Sequence, residues 1–262
     1  MILLNSNIVK SVRHNVKNYG VYGFLYLLLY ILLAIVLELV FHTSSLTGTL
    51  VSGVVMLILS VALFLKRAYK ENVVSFQDYM HVKFKSKLFW YSYTVVVAYA
   101  CLVFFNWFNT NYIDETFVAR DEIMSDIPIL ILIPYSILIA PILEECMMRL
   151  FMYNQLKRSS HWIVSMIITS SLFALLHGTL SHIIFGTIFA LALTIAYENT
   201  RCILIPIFGH LTYNFMSIFI PIDNYPTNNT YVLILFIFVI ISLIISTIGL
   251  NYKLKSISYR DI

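Results

Sequence analysis

Long apolar runs separated by short polar breaks fill the chain. They lie at about 21–41, 46–65, 88–108, 127–156, 162–180, 182–197, 202–222 and 231–250. Most are close to the ~20 residues that carry a helix across ~30 Å of hydrocarbon. Backbone exposed to lipid must satisfy its own hydrogen bonds. The pattern therefore predicts an all-α fold, a polytopic membrane helical bundle of about eight transmembrane helices. No internal repeat or low-complexity stretch interrupts it. The first run is too long for a signal-peptide core and lacks a small-residue cleavage site, so it is expected to stay as a mature helix. The fourth run is the longest: ~30 residues, or ~45 Å at helical rise, should carry its second half into the interface. Pro141 lies in that run, where its missing N–H and its ring predict a kink.

Composition narrows the class further. Of 262 residues, 60% are hydrophobic and 11% charged, against about 25% charged in soluble domains. A soluble globular enzyme and a disordered chain are both excluded, and eight spans leave no room for a separate soluble domain. Cys101, Cys146 and Cys202 sit in apolar segments and none belongs to a CxxC pair, so neither a disulfide framework nor a thiolate metal site is expected.

The net charge is +4, and its placement decides what it means. Lys10, Arg13 and Lys17 precede the first span; Lys66, Arg67, Lys70, Lys83, Lys85 and Lys87 follow the second. Lys157 and Arg158 follow the fourth, Arg201 the sixth, and Lys253, Lys255 and Arg260 the eighth. All fall on alternate loops, whereas Arg120 shares its loop with Asp114, Glu115, Asp121, Glu122 and Asp126. By the positive-inside rule both termini are cytoplasmic. The expected partners are the lipid bilayer and a peptide or membrane-protein substrate, and no nucleic acid. The chain divides into N-terminal membrane helices and loops at 1–126, a four-span core at 127–222, and a C-terminal span with a cytoplasmic tail at 223–262.

Ionisable groups inside spans are costly and usually functional. Here they gather on three runs: Glu144, Glu145 and Arg149 on the fourth, His177 on the fifth, His210 and Asn214 on the seventh. Glu38 stands apart on the first, where an interhelical hydrogen bond or a protonated carboxyl is its expected state. Counted from the basic or polar residues at the cytoplasmic ends, Glu144 lies ~20 Å in, His177 ~24 Å, His210 ~14 Å and Asn214 ~20 Å. Three helices thus bring polar groups to one broad layer within the membrane.

Spacing adds chemistry. Arg149 follows Glu145 by four residues, which suits an ion pair, and His210 and Asn214 share a helix face by the same spacing. Phe173 lies four residues before His177 and sets an aromatic ring beside the imidazole. One carboxylate held by Arg149, another desolvated beside it, and neutral imidazoles nearby form a set that can activate water. Asn214 can donate to a developing oxyanion. Taken singly, each group also has a plain structural role open to it: a buried pair, a satisfied core histidine, or hydrogen-bonding glue between helices.

Read in order, Glu144 to Arg149 is EExxxR, Phe173 to His177 is FxxxH, and His210 to Asn214 is HxxxN. On successive hydrophobic segments these motifs resemble the CPBP intramembrane proteases, also called the CAAX protease and bacteriocin-processing (Abi) family. The resemblance covers about residues 127–222. It implies an endopeptidase whose site lies inside the membrane and opens toward the cytoplasmic side. Glu144 would activate the attacking water with help from His177. Glu145 and Arg149 would support the site, and His210 and Asn214 would stabilise the oxyanion or hold the water. No cofactor is required by this scheme, although Glu144, His177 and His210 are candidate ligands for zinc or another divalent metal. The HExxH helix that marks a zinc protease is missing. A bacterial member acting on a membrane-associated or lipidated peptide, in bacteriocin immunity or peptide processing, is the preferred reading. Two other readings compete. One is a non-catalytic membrane immunity or regulatory protein that binds a peptide or sensor partner. The other is a transporter or proton relay, which the lack of an inverted repeat disfavours.

Overall fold

The structure is a computed structural model of the protein, and it describes residues 62, 84–112, 133–177, 180–221, 224–226 and 228–258. Among these residues the fold is all helical. The expected spans at 21–41 and 46–65, with Glu38, lie outside the described residues, Ala62 apart. The described residues fall into two compact units divided between Ser165 and Met166, with 133–165 in the first and 84–112 and 166–258 in the second.

The first unit follows the fourth apolar run. Its helix changes hydrogen-bond register twice: a π-helical stretch at Pro134–Ile139, α2 at Ala140–Glu145, a second π-helical stretch at Cys146–Tyr153, and α3 at Asn154–Ser159 (α1 belongs to the second unit). The Ala140 N–H donates to the Tyr135 carbonyl five residues back, and the Cys146 N–H is shared between the Ile142 and Leu143 carbonyls. Pro141, which has no N–H to give, sits at the junction between the first π stretch and α2. The hydrogen-bond register changes at Pro141, and π-helical stretches of this kind are frequent at functional sites. Ser160 ends α3 in extended backbone, its hydroxyl 2.8 Å from that of Ser165.

The second unit holds α1 at Phe84–Tyr112, most of α4 (Trp162–Leu175), α5 at Leu180–Thr200, α6 at Leu204–Phe219 and α7 at Asn229–Ser258. Segments Lys87–Tyr112, Leu180–Thr200 and Asn229–Tyr252 are long and apolar enough to cross a membrane. They match the expected spans at 88–108, 182–197 and 231–250. The chain is a membrane protein, and these helices present exposed apolar side chains such as Leu88, Ile184 and Ile241.

Two further expected spans appear as shorter apolar helices. The run at 162–180 yields a helix of 14 residues ending at Leu175, and the run at 202–222 yields one of 16 ending at Phe219. At ~1.5 Å per residue these reach ~21 and ~24 Å, short of the hydrocarbon thickness. The second stop has a local cause. Ile220 precedes Pro221, and a residue before proline is pushed out of the helical region; Ile220 is extended, at φ −97 and ψ 115.

α5 is the centre of the second unit, with Phe189, Ala190 and every residue from Ala192 to Glu198 buried. α1 and α6 pack against it and against each other. Gly209 of α6 marks a close approach to both. A Cβ built there would stand 2.6 Å from the Thr94 Cβ and 2.9 Å from the Leu193 Cδ2, so the site admits only hydrogen. α7 leans on α1 and α5 through Val232, Val239, Leu243 and Leu250, while Ile234, Phe238, Ile241 and Ile245 face outward.

Candidate functional site

In the first unit, Glu144 and Glu145 close α2 and Arg149 lies in the π-helical stretch that follows. The Arg149 guanidinium donates through Nη1 to Glu145 Oε1 at 2.8 Å, so the four-residue spacing forms the expected pair. Both side chains are buried, whereas Glu144 next to them is only half-buried. The pair compensates a buried carboxylate, where an isolated charge would be very costly. Glu144, offset by one residue, faces a less enclosed surface.

In the second unit, the end of α4 differs from expectation. His177 is not within a transmembrane helix. It lies in the turn beyond α4, and its side chain is exposed. The turn is closed by the His177 N–H donating to the Ala174 carbonyl at 3.1 Å and the Leu176 N–H to that of Leu172 at 3.3 Å. The ring is anchored too: Nδ1 lies 2.9 Å from the Phe173 carbonyl oxygen. A carbonyl can only accept, so Nδ1 carries the proton and, in the neutral ring, Nε2 keeps the lone pair.

Phe173 is buried and links the two histidines of the motifs. Its ring centroid is 4.9 Å from that of His177 and 5.5 Å from that of His210, the latter edge-on at 82°. The FxxxH and HxxxN motifs thus meet through one aromatic ring, as the sequence anticipated for Phe173 and His177. His210 is buried on α6, and Phe189 of α5 meets it at 5.9 Å and 83°. Phe189 also stacks on Tyr213 at 4.8 Å. Asn214, half-buried, stands one turn beyond His210 on the same helix.

Sequence reasoning missed His182. It belongs to the first turn of α5, and its ring lies parallel to His177 at 5.7 Å and 17°. On another side it meets Phe105 of α1 at 4.6 Å. A spacing of five is no helix-face relation, so only the turn between α4 and α5 makes the two imidazoles neighbours.

Glu144, Glu145 and Arg149 belong to the first unit and the remaining motif residues to the second. Of the zinc ligands considered from the sequence, Glu144 belongs to the first unit and His177 and His210 to the second. Within either unit alone, no three His, Cys, Asp or Glu side chains among the described residues could hold a metal ion.

Residues 126–216 match the family model described as type II CAAX prenyl endopeptidase, Rce1-like. Over 107 residues the chain is 27% identical to the protein named "Putative membrane peptidase YdiL" of Bacillus subtilis (strain 168). That alignment covers 40% of this chain and 43% of the relative, so the chain spans less than half of the relative's length. No solved structure matches the chain. The matched segment contains Glu144, Glu145, Arg149, Phe173, His177, His210 and Asn214. Over residues 126–216 this chain is therefore similar to the Rce1-like CAAX prenyl endopeptidases of the CPBP family, as its three ordered motifs indicate.

Proposed function

We propose that the protein is an intramembrane endopeptidase that cleaves a membrane-associated or lipidated peptide with a glutamate-activated water. One observation carries the reading: Phe173 joins His177 and His210 within a segment similar to a peptidase family that also holds Glu144 and Glu145. In the proposed reaction Glu144 takes a proton from water as the hydroxide oxygen attacks the scissile carbonyl. By the family resemblance His177, whose lone pair is on Nε2, takes the assisting role. Glu145, neutralised by Arg149, holds α2 in place. His210 and Asn214 donate to the oxyanion of the tetrahedral intermediate, and Glu144 then returns its proton to the leaving amine.

The site opens toward the cytoplasmic side in this proposal, supported by the basic residues on alternate loops. A lipidated or amphipathic substrate suits such a site, because eight buried methylenes would contribute roughly 6 kcal/mol to its binding. Bacteriocin immunity or peptide maturation is the proposed setting. The test is comparative peptidomics of cells expressing wild type, Glu144→Gln or His177→Ala at equal membrane levels. Peptides produced by wild type and lost in both variants are expected. Identical peptide profiles would refute the proposal.

A further inference from the structure

His177 has an unusual station for a residue assigned to proton chemistry. It lies outside the regular helix, in a turn, with its side chain exposed. The one described hydrogen bond of its ring, from Nδ1 to the Phe173 carbonyl, leaves the ring able to swing about that contact. What restrains the swing is contact on the ring faces. Phe173 meets the imidazole tilted at 56°, and His182 meets it nearly parallel at 17°.

His182 is itself held. Phe105, buried on α1, lies against its ring at 4.6 Å. Next to it in sequence, the buried Ser181 hydroxyl donates to Asn109 Oδ1 of α1 at 2.7 Å. Phe105 and Asn109 are one helical turn apart on α1, and Ser181 and His182 are neighbours at the start of α5. Two adjacent residues of α5 are thus pinned to one face of α1. A flat ring so fixed is a template against which a mobile imidazole can be ordered.

We infer that His182 is a positioning residue for His177: backed by Phe105, its ring keeps that imidazole with Nδ1 on the Phe173 carbonyl and Nε2 turned away from it. The role in catalysis rests on the endopeptidase reading, whereas the ordering of the ring does not. His182 touches no reacting atom in this scheme. It acts by keeping the lone pair of His177 in a single direction.

The two claims separate in one experiment on the full chain in lipid nanodiscs. Histidine rings are labelled with ¹⁵N, and the His177 signals are assigned by their loss in His177→Gln. Wild type is expected to show one neutral tautomer, protonated at Nδ1. His182→Ala should give averaged Nδ1 and Nε2 signals, and His182→Phe, which keeps a flat ring, should restore the wild-type pattern. If His182→Ala does not fold, His182→Leu, which fills the space without a ring face, takes its place with the same expectation. An unchanged His177 pattern in the ringless variant overturns the inference.

Cleavage of an internally quenched library of bilayer-inserting peptides is read in parallel. For the ringless variant kcat should fall roughly tenfold to a hundredfold, with KM changed by less than about twofold, because misplacing a catalytic group acts on the chemical step. Wild-type kcat in that variant overturns the inference as well. If wild type and Glu144→Gln are equally inert toward the library, the endopeptidase reading falls, and the ¹⁵N pattern alone decides the role of His182.

Discussion

Gly209→Ala adds one methyl group at a point of close helix approach in the second unit. The new Cβ would stand 2.6 Å from the Thr94 Cβ, 2.9 Å from the Leu193 Cδ2 and 3.0 Å from the Thr94 Oγ1. Ordinary carbon contacts lie at ~3.5–4.0 Å, so the shortfall against Thr94 is ~1 Å. Leu193 ends in a rotatable side chain and can yield. The Thr94 Cβ moves only with the backbone of α1, so α6 must move away from it. Overpacking of this kind costs about 1–3 kcal/mol. Alanine is the better helix former by about 1 kcal/mol, which offsets part of the loss. Because the closest atom is not a flexible one, strain should win by about 1–2 kcal/mol. His210 is the next residue along, and a shift of ~1 Å in α6 would loosen its contact with Phe173 and lower cleavage up to ~100-fold. Thermal unfolding in nanodiscs and peptide cleavage provide the two readouts. Thr94→Gly removes the opposing Cβ, so the double variant Thr94→Gly/Gly209→Ala should be more active than Gly209→Ala alone. A single Gly209→Ala variant that unfolds later than wild type and cleaves equally well would refute the reasoning.

Other outcomes follow from the same contacts. Arg149→Met leaves Glu145 as a buried carboxylate without its guanidinium and should cost about 3–5 kcal/mol, much of it recovered in Glu145→Gln/Arg149→Met, as thermal unfolding would show. Phe173→Leu keeps most of the buried volume but removes the ring shared by His177 and His210, so cleavage should fall far more than unfolding temperature. Tyr225 lies in the loop between α6 and α7, donates to the Met216 carbonyl at 3.1 Å, and its phenol is pushed up from 10.0 to about 12 by burial and then by the neighbouring Tyr99. The folded state therefore holds this proton where the unfolded chain loses it. The contribution is complete below pH 10, declines as pH rises from 10 to about 12, and should vanish in Tyr225→Phe, as alkaline unfolding curves would reveal.

Hydropathy made α1, α5 and α7 legible because each is a long run without internal punctuation. It misled at α4 and α6. Leu175, Leu176 and Leu180 keep the average apolar across the turn after α4, so the end of that helix was invisible and His177 was assigned to its interior. Pro221 did announce the end of α6, through its effect on the preceding residue, but apolar Ile220 and Ile222 outweighed it in the run. Within the candidate site, i,i+4 spacing gave the Glu145–Arg149 pair and the Phe173–His177 contact, since both are local. The contacts of His182 with His177 and Phe105 depend on a turn and on two helices far apart in sequence. No period along the chain encodes them. The π-helical stretches around Glu144 were equally hidden, with Pro141 the only hint of an altered register.

The buried residues of α7, Val232, Val239, Leu243 and Leu250, are separated by seven, four and seven. Together with Phe236, whose ring meets Phe104 at 5.1 Å, they trace the first and fourth places of a heptad. Such a seam winds around its neighbours in a left-handed supercoil. Two places in seven are then held by protein, while Ile234, Ile237, Ile241 and Ile245 at other places are exposed. Aliphatic exchanges such as Ile241→Leu or Ile245→Val leave the seam untouched, so this helix can drift widely in sequence while its crossing of α1 and α5 stays the same.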